Sequence, residues 1–549
     1  MSKFFKKRKV IVRDIFGSKI LTSWLKCLTV YSLFFLLATS ITWLFINQFN
    51  LLPTNLENAR YIVSILIQSQ AAILSIVVTL TLIAIQLTAS IYSPRVVDVL
   101  RKNPDLWLLV IIYVTLIGIE LIFLKVLGGT VVLSSVDGIT YLGYIVNGSP
   151  GLFGCSQETI LTLLVGAGIS SIAILGPYTL NTLNVMRSET VISKFVNGLT
   201  KENLCDKNGE SLQPFFDIIN SALLRYDVTT SRTGLKKIVS RVISLNEGLG
   251  NDEREQVSQD LCKHLYRCYI VTDRLNDQEM GIEVIESLKE FGIASLAWRN
   301  NILTEFVLRD SLEPIGKFIV SKKLENPMFS VTNALTEIGK AAAENKQEVL
   351  ANGACSVLGT LALDSTENGF FDYFQNLPGT IEPICKVALE NSLTGPVRSA
   401  SWYLPSCAKK AIENDIRDHD VGMIIGSLGN IGRKTAEYNI SFLSPLNGII
   451  DSLAQIGNAA ASKHLTKSVE RSVATLCAIG AELFENGQKD EANKVITHLI
   501  ELAKVDRKNA FTGVHKVQYE WDYGKRESFQ EYIHPYWTKY NSNPSMHET

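Results

Sequence analysis

Residues 60–95 read RYIVSILIQSQAAILSIVVTLTLIAIQLTASIYSPR, and the 34 residues between Arg60 and Arg95 carry no charge. A bilayer core about 30 Å thick needs roughly 20 apolar residues in a helix. In hydrocarbon every backbone N–H and C=O must find a partner within the chain, so a helix is the expected form. Working outward, three further stretches meet the same test, which places spans at about 27–46, 61–93, 106–124 and 159–180.

The average composition, 46% hydrophobic and 19% charged, hides a segregation: residues 27–186 are poor in charge and the rest reads as an ordinary water-facing chain. A leader, 1–26, holds Lys3, Lys6, Lys7, Arg8, Lys9, Arg13, Lys19 and Lys26. The loops after it hold Arg60, then Arg95, Arg101 and Lys102, then Lys125. Basic residues in short loops set orientation, and this alternation puts both termini in the cytoplasm of a multi-pass cell-membrane protein. The long leader and the lack of a small-x-small cleavage site argue for a retained first helix rather than a signal peptide. The loop 126–157, with Gly128, Gly129 and Asn147 to Pro150, reads as a small hairpin-like cap outside the membrane. A net charge of −1 gives no overall basic field, so no nucleic-acid partner is expected. Nine scattered cysteines without a C-x-x-C pair read as reduced packing residues.

The second span carries a polar stripe. Gln68, Ala72, Ser75, Thr79, Gln86, Ser90 and Ser93 recur at intervals of three, four or seven, which places them in one sector of the helix. Such a stripe serves helix packing, with small side chains allowing close approach, or lines a solute path. Glu120 is the one acid inside a span. The preferred reading has it reach the headgroups beside Lys125; the other turns it inward to Gln68 or Gln70 as a proton or cation site. Ser93-Pro94-Arg95 marks the membrane boundary, because Pro94 lacks an amide donor and disfavours helix at Ser93. It reads as a helix stop with a lipid anchor, or as a joint coupling the spans to the cytoplasmic domain.

The stretch Thr79 to Val97, TLTLIAIQLTASIYSPRVV, resembles the signature of a prokaryotic family of predicted membrane proteins, domain of unknown function 2254. In that family a span rich in Ser, Thr and Val leads into a Gln-Leu-small-Ser-x-x-Ser-Pro-Arg motif. Gln86, Leu87, Ser90, Ser93, Pro94 and Arg95 resemble it, with Thr88 and Ala89 occupying the two places before Ser90. The resemblance covers about 65–124 and extends to the four-span region. It implies a membrane topology and carries no activity with it.

From about Arg187 the apolar spacing is helical almost throughout. Leu-x-x-Ile/Phe-Gly recurs at Leu288–Gly292, Leu335–Gly339, Leu428–Gly432, Leu453–Gly457 and Leu476–Gly480. The starts lie near multiples of 23–25 residues, one helix and a turn, and two such units have the length of a HEAT or armadillo hairpin. A glycine in mid-helix costs about 1 kcal/mol against alanine, so its repeated use predicts close helix approach. The expected architecture is therefore all-α: a four-helix transmembrane region followed by a cytoplasmic α-helical repeat (α-solenoid-like) domain over 187–515. An aromatic-rich tail, 516–549, would cap its end.

Cys262, His264 and Cys268 are neighbours in sequence. Only two of them share a helix face, too few for a closed zinc site. No phosphate loop, H-E-x-x-H or G-x-S-x-G pattern occurs, so no cofactor, metal or enzymatic role is expected. Together these features read as a membrane-anchored helical scaffold or sensor that binds a protein partner and forms a homo-oligomer. The competing reading is a subunit of an oligomeric channel or transporter lined by the second span.

Overall fold

A computed structural model describes parts of 29–48, then 56–91, 104–127, 157–186, parts of 192–205, and 212–520 apart from 299–300, 371–376 and 439–442. The chain divides into two compact units, Met1–Lys194 and Phe195–Thr549. Among the described residues the structure is all-helical. The leader, the loop expected to form a cap and most of the aromatic tail lie outside them.

In the first unit, the described residues between 29 and 48 are helical. Three long helices come next: α1 (Leu56–Ile91), α2 (Pro104–Leu127) and α3 (Gln157–Met186). Two apolar stretches, Glu57–Ile83 and Trp107–Lys125, are long and apolar enough to cross a membrane. Those of α3, Ile160–Gly176, and of the first helix, Phe35–Ile46, are shorter than that measure. Two apolar clusters fix the register. One joins Ala59 and Val63 to Phe123, Leu127, Leu161 and Leu164; the other joins Val77 to Leu108, Leu109, Tyr113, Ile174 and Tyr178. Residue numbers rise together on α1 and α3 and fall on α2, so α1 runs parallel to α3 and antiparallel to α2. Arg60 donates to the Leu127 carbonyl (Nε···O 2.7 Å), closing the end of α2.

In the second unit a short helix, Lys201–Leu204, is followed by α4 (Gln213–Leu223), α5 (Val228–Asn246), α6 (Asn251–Arg274) and α7 (Gln278–Ala297). Next come α8 (Asn301–Glu305), a π-helical turn at Phe306–Leu312 and α9 (Glu313–Lys322). Hairpins then succeed one another: α10 (Glu325–Glu344) with α11 (Glu348–Glu367), α12 (Leu377–Glu390) with α13 (Gly395–Glu413), and α14 (Asp418–Glu437) with α15 (Leu443–Ser462). The series continues with α16 (Thr466–Glu485) and α17 (Lys489–Val505), and α18 (Arg507–Glu520) ends the array. The π turn widens the backbone ladder immediately before Pro314, which has no amide to give. The Glu325-Asn326-Pro327 stretch is the first turn of α10, where a proline's missing N–H is harmless.

Alternate helices form two rows. In one, α7, α10, α12, α14, α16 and α18 succeed each other side by side; in the other, α9, α11, α13, α15 and α17 do so. The mid-helix glycines are the joints between successive members. A methyl built on Gly292 would lie 2.7 Å from Ile338 Cδ1, one on Gly339 2.6 Å from Ile384 Cδ1, and one on Gly432 2.6 Å from Ile479 Cδ1. In the second row, Gly316 meets Leu361 Cδ1 at 2.6 Å and Gly457 meets Leu502 Cδ2 at 2.7 Å. Each groove thus takes a side chain from the equivalent helix one hairpin later. The long gap between Leu335 and Leu428 in the sequence motif contains a member of the same series, Ile381 to Cys385, with cysteine in the glycine place. Leu453–Gly457 belongs to the other row.

The turns repeat as regularly. Lys323, Lys346, Gly369, Ser392 and Asp415 all have positive φ and succeed one another every 23 residues. At each, the next amide bonds back to a carbonyl five residues earlier, as in Gln347 N to Ala342 O at 2.9 Å and Leu393 N to Ala388 O at 2.8 Å. This is the Schellman closure of a helix. Glu-Asn precedes four of these turns, at 344–345, 367–368, 390–391 and 413–414, and recurs at 485–486. The Asn345, Asn368 and Asn391 amides cap their own helices by donating to carbonyls four residues back.

Candidate functional site

Between the two apolar clusters of the first unit lies a polar layer. Glu120 on α2 is fully buried, and so is Gln70 on α1. Gln70 Nε2 donates to Glu120 Oε1 at 2.7 Å. Glu120 therefore does not reach outward beside Lys125, the orientation preferred from the sequence, and its partner is Gln70 rather than Gln68. The register explains this: Gln70 falls on the α1 face that packs on α2 and α3, between Val63 and Val77. Gly168 on α3 makes the space, since a methyl there would sit 3.2 Å from Gln70 Nε2 and overlap Leu66. Tyr113 donates to the Ser171 carbonyl at 2.8 Å, Ser171 Oγ to the Gly168 carbonyl at 2.6 Å, and Thr39 and Ser170 hydroxyls meet at 3.2 Å. The remaining oxygens of the central pair, Glu120 Oε2 and Gln70 Oε1, are buried without a hydrogen-bond partner.

The stripe on α1 lies on a different face. Gln68, Ala72, Ser75, Thr79 and Gln86 are exposed among the described residues. It does not pack on α2 or α3, and Thr79 turns its hydroxyl back to the Ser75 carbonyl at 2.8 Å. Ser90 lies on α1, and its side chain is outside the described residues, as is the whole of Ser93, Pro94 and Arg95. The outer surfaces of α1 and α2 are otherwise apolar: Ile76 is 59% exposed, Leu80 57%, Ile111 56% and Ile122 63%.

In the second unit, half-buried carboxylates serve the joints between hairpins. Glu348 accepts from Thr394 N, Thr394 Oγ1 and Gly395 N, at 3.0, 3.0 and 2.6 Å, and so caps α13 from one hairpin earlier. The Gly395 amide, with further help from Thr394, holds that carboxyl below the usual range. Asp418 does the same for α16, accepting from Lys467 N and Ser468 N at 2.9 Å each. His264 is buried and stacked on Phe216 with ring centroids 4.8 Å apart. Burial, then the nearby Arg267, lowers its pKa to about 4. Burial pushes the Cys262 and Cys268 thiols up to about 12. These are packing residues, and among the described residues no cluster of three metal-binding side chains forms.

Comparison with known proteins adds little to this geometry. No protein-family model matches the chain, and no curated protein does. Among solved structures, similarity is found to a circular tandem repeat protein with novel repeat topology and enhanced subunit contact surfaces, at 13% identity and a TM-score of 0.30, over 70% of this chain and 92% of that one. It is also found to Kap121p bound to Pho4p, at 11% identity and a TM-score of 0.21, over 69% of this chain and 43% of that one.

Proposed function

We propose that this chain is a multi-pass membrane protein whose first unit anchors a helical-repeat domain that binds a protein partner. The observation that carries the anchor is the apolar outer surface of α1 and α2. Only 17% of the most apolar 18-residue window in Glu57–Ile83, and 33% of that in Trp107–Lys125, is buried. A core helix of a water-soluble protein would hide most of such a window, and exposed apolar area on this scale marks an interaction surface. The parallel course of α1 and α3, with α2 reversed, is the arrangement that four successive crossings require of the second, third and fourth. The two-row array of the second unit supports the scaffold role, because stacked helical repeats present long continuous surfaces to other chains.

The test is reconstitution of the full chain into liposomes. Resistance to alkaline extraction is expected. So is labelling from opposite sides of the bilayer of a cysteine placed at Ser188 or at Gly151, in a chain with Cys27, Cys155 and Cys205 changed to serine so that the cysteines left are buried. Release into the aqueous phase, or labelling of both positions from one side, would defeat the reading.

One observation favours a second reading, an oligomeric channel or transporter. The Gln68–Gln86 stripe faces away from its own helices, and polar side chains in lipid are costly unless they meet protein or water. A homo-oligomer that gathers the stripe about an axis would satisfy them. Ion flux through reconstituted protein, blocked by a thiol reagent in Ser75→Cys, is the result that this reading requires.

A further inference from the structure

The pair at Glu120 and Gln70 holds two orphan acceptors, and one atom would satisfy both. Gln70 already donates to Glu120 Oε1. What remains is the other oxygen of each planar group, Glu120 Oε2 and Gln70 Oε1, both buried and without a partner. A hydrogen on Oε2, donated to Gln70 Oε1, would close a ring of two hydrogen bonds between a carboxylic acid and an amide. We infer that Glu120 and Gln70 form a proton-binding site, with the proton carried on Glu120 and shared with Gln70. The inference rests on the membrane reading of α1 and α2 for its significance.

A metal cation fits the same place poorly. Hard cations take six or more oxygen ligands. Here two oxygens are free, while Ser170 and Ser171 direct their hydroxyls to the Gly166 and Gly168 carbonyls. The site is also remote from other charge. On α1 the nearest described ionic groups are Arg60 and Glu57, some 15 and 20 Å along the helix from Gln70 at about 1.5 Å per residue. Arg60 is engaged with the Leu127 carbonyl. On α2, Lys125 lies one and a half turns on and is exposed, and the Tyr113 hydroxyl donates to Ser171. On α3, Tyr178 is paired with Thr81 at 2.7 Å. No described counter-charge stands ready to pair with a bare carboxylate, and in hydrocarbon an unpaired charge is costly.

The apolar clusters above and below the pair seal the site. Loss of the proton would leave a carboxylate against the Gln70 carbonyl oxygen and drive α1 from α2. The pair therefore acts as a proton-dependent latch between those helices.

Infrared difference spectroscopy of the full chain in lipid nanodiscs tests this. At neutral pH the wild type should show the C=O stretch of a protonated carboxylic acid. The band should vanish in E120Q, whose amide keeps the shape of the acid, and shift in Q70L, which removes its partner. Carbon-13 labelling of glutamate carboxyls gives the same readout with no substitution. Raising the pH should lower the melting temperature of the wild type more than that of E120Q. An embedded wild type without the acid band, whether Glu120 is ionised or solvated by a water, overturns the proton site alone. A chain that fails to float with vesicles overturns the membrane reading instead, and its spectrum in water still decides the pair.

Discussion

Gly432 and Gly176 are both glycines inside long helices, yet a methyl on Gly432 would lie 2.6 Å from Ile479 Cδ1, and one on Gly176 meets nothing within 4 Å. The contrast extends to whole surfaces. In the second unit large apolar side chains point into the joints between rows, and exposed ones such as Phe329, Val349 and Trp402 are scattered. In the first unit, Ile76, Leu80, Ile111, Val114 and Ile122 point outward, while Glu120 and Gln70 are within. On the membrane reading, packing rules are shared by the two units and what differs is the solvent against which each surface is written. Water lets polar groups face out and forces apolar ones in, and hydrocarbon removes that demand.

The sharpest way to break this comparison is to place the same charge on each surface. Ile111→Lys should cost about 3 kcal/mol of membrane insertion if its helix faces lipid. Phe329→Lys should stay within roughly 0.5 kcal/mol, as surface substitutions do. Insertion assays and thermal melts of the full chain measure the two, and equal tolerance would erase the distinction. Next comes a joint: at Gly359 a methyl would lie 2.6 Å from Tyr403 Cβ, a backbone-tethered atom that cannot swing away. Gly359→Val should destabilise the repeat unit by about 2–3 kcal/mol through overpacking, whereas Gly176→Ala should leave the chain unharmed by any clash. Chemical denaturation reports both.

A third effect is set by pH. The unfolded chain takes a proton on His264 below about pH 6.5, while the folded chain refuses it until about pH 4. Stability is therefore unaffected above pH 6.5 and falls as pH drops from there toward 4. By pH 5 the loss should be about 2 kcal/mol, and His264→Phe, which keeps the stack on Phe216, should remove this part of the slope. The smallest effect is at a cap. Glu348→Gln should cost about 1 kcal/mol near neutral pH, as losses of helix caps do. Its carboxyl is held below the usual range, so the stability it supplies is present above about pH 4.3 and fades as pH falls through the lower folded value. At low pH the variant and the wild type should converge.

Much of the repeat unit was legible because its joints need glycine at fixed spacing. The Leu-x-x-Ile/Phe-Gly series found three of the joints in one row, at Gly292, Gly339 and Gly432. It missed the member between the last two, because Cys385 fills the glycine place, and it merged Gly457 from the other row into one line. The Glu-Asn dipeptides at 344, 367, 390 and 413 carry the same 23-residue period more plainly than the apolar pattern does. They escape a search for apolar periodicity because their role is to close helices. The Glu120 partner was harder to read. Gln68 and Gln70 are two residues apart and so on opposed faces of a helix; which one meets α2 depends on register between helices, which only the packed clusters decide. The π turn has no clear mark beyond Pro314.

The glycine groove and the isoleucine that enters it are carried by the same pair of positions in successive hairpins, as at Ile338-Gly339, which fills the groove at Gly292 and offers its own to Ile384. A duplicated stretch of two helices would thus arrive with both halves of the connection already fitted. An array built this way can lengthen or shorten by whole hairpins without any new interface having to evolve, and relatives of different length are its natural by-product.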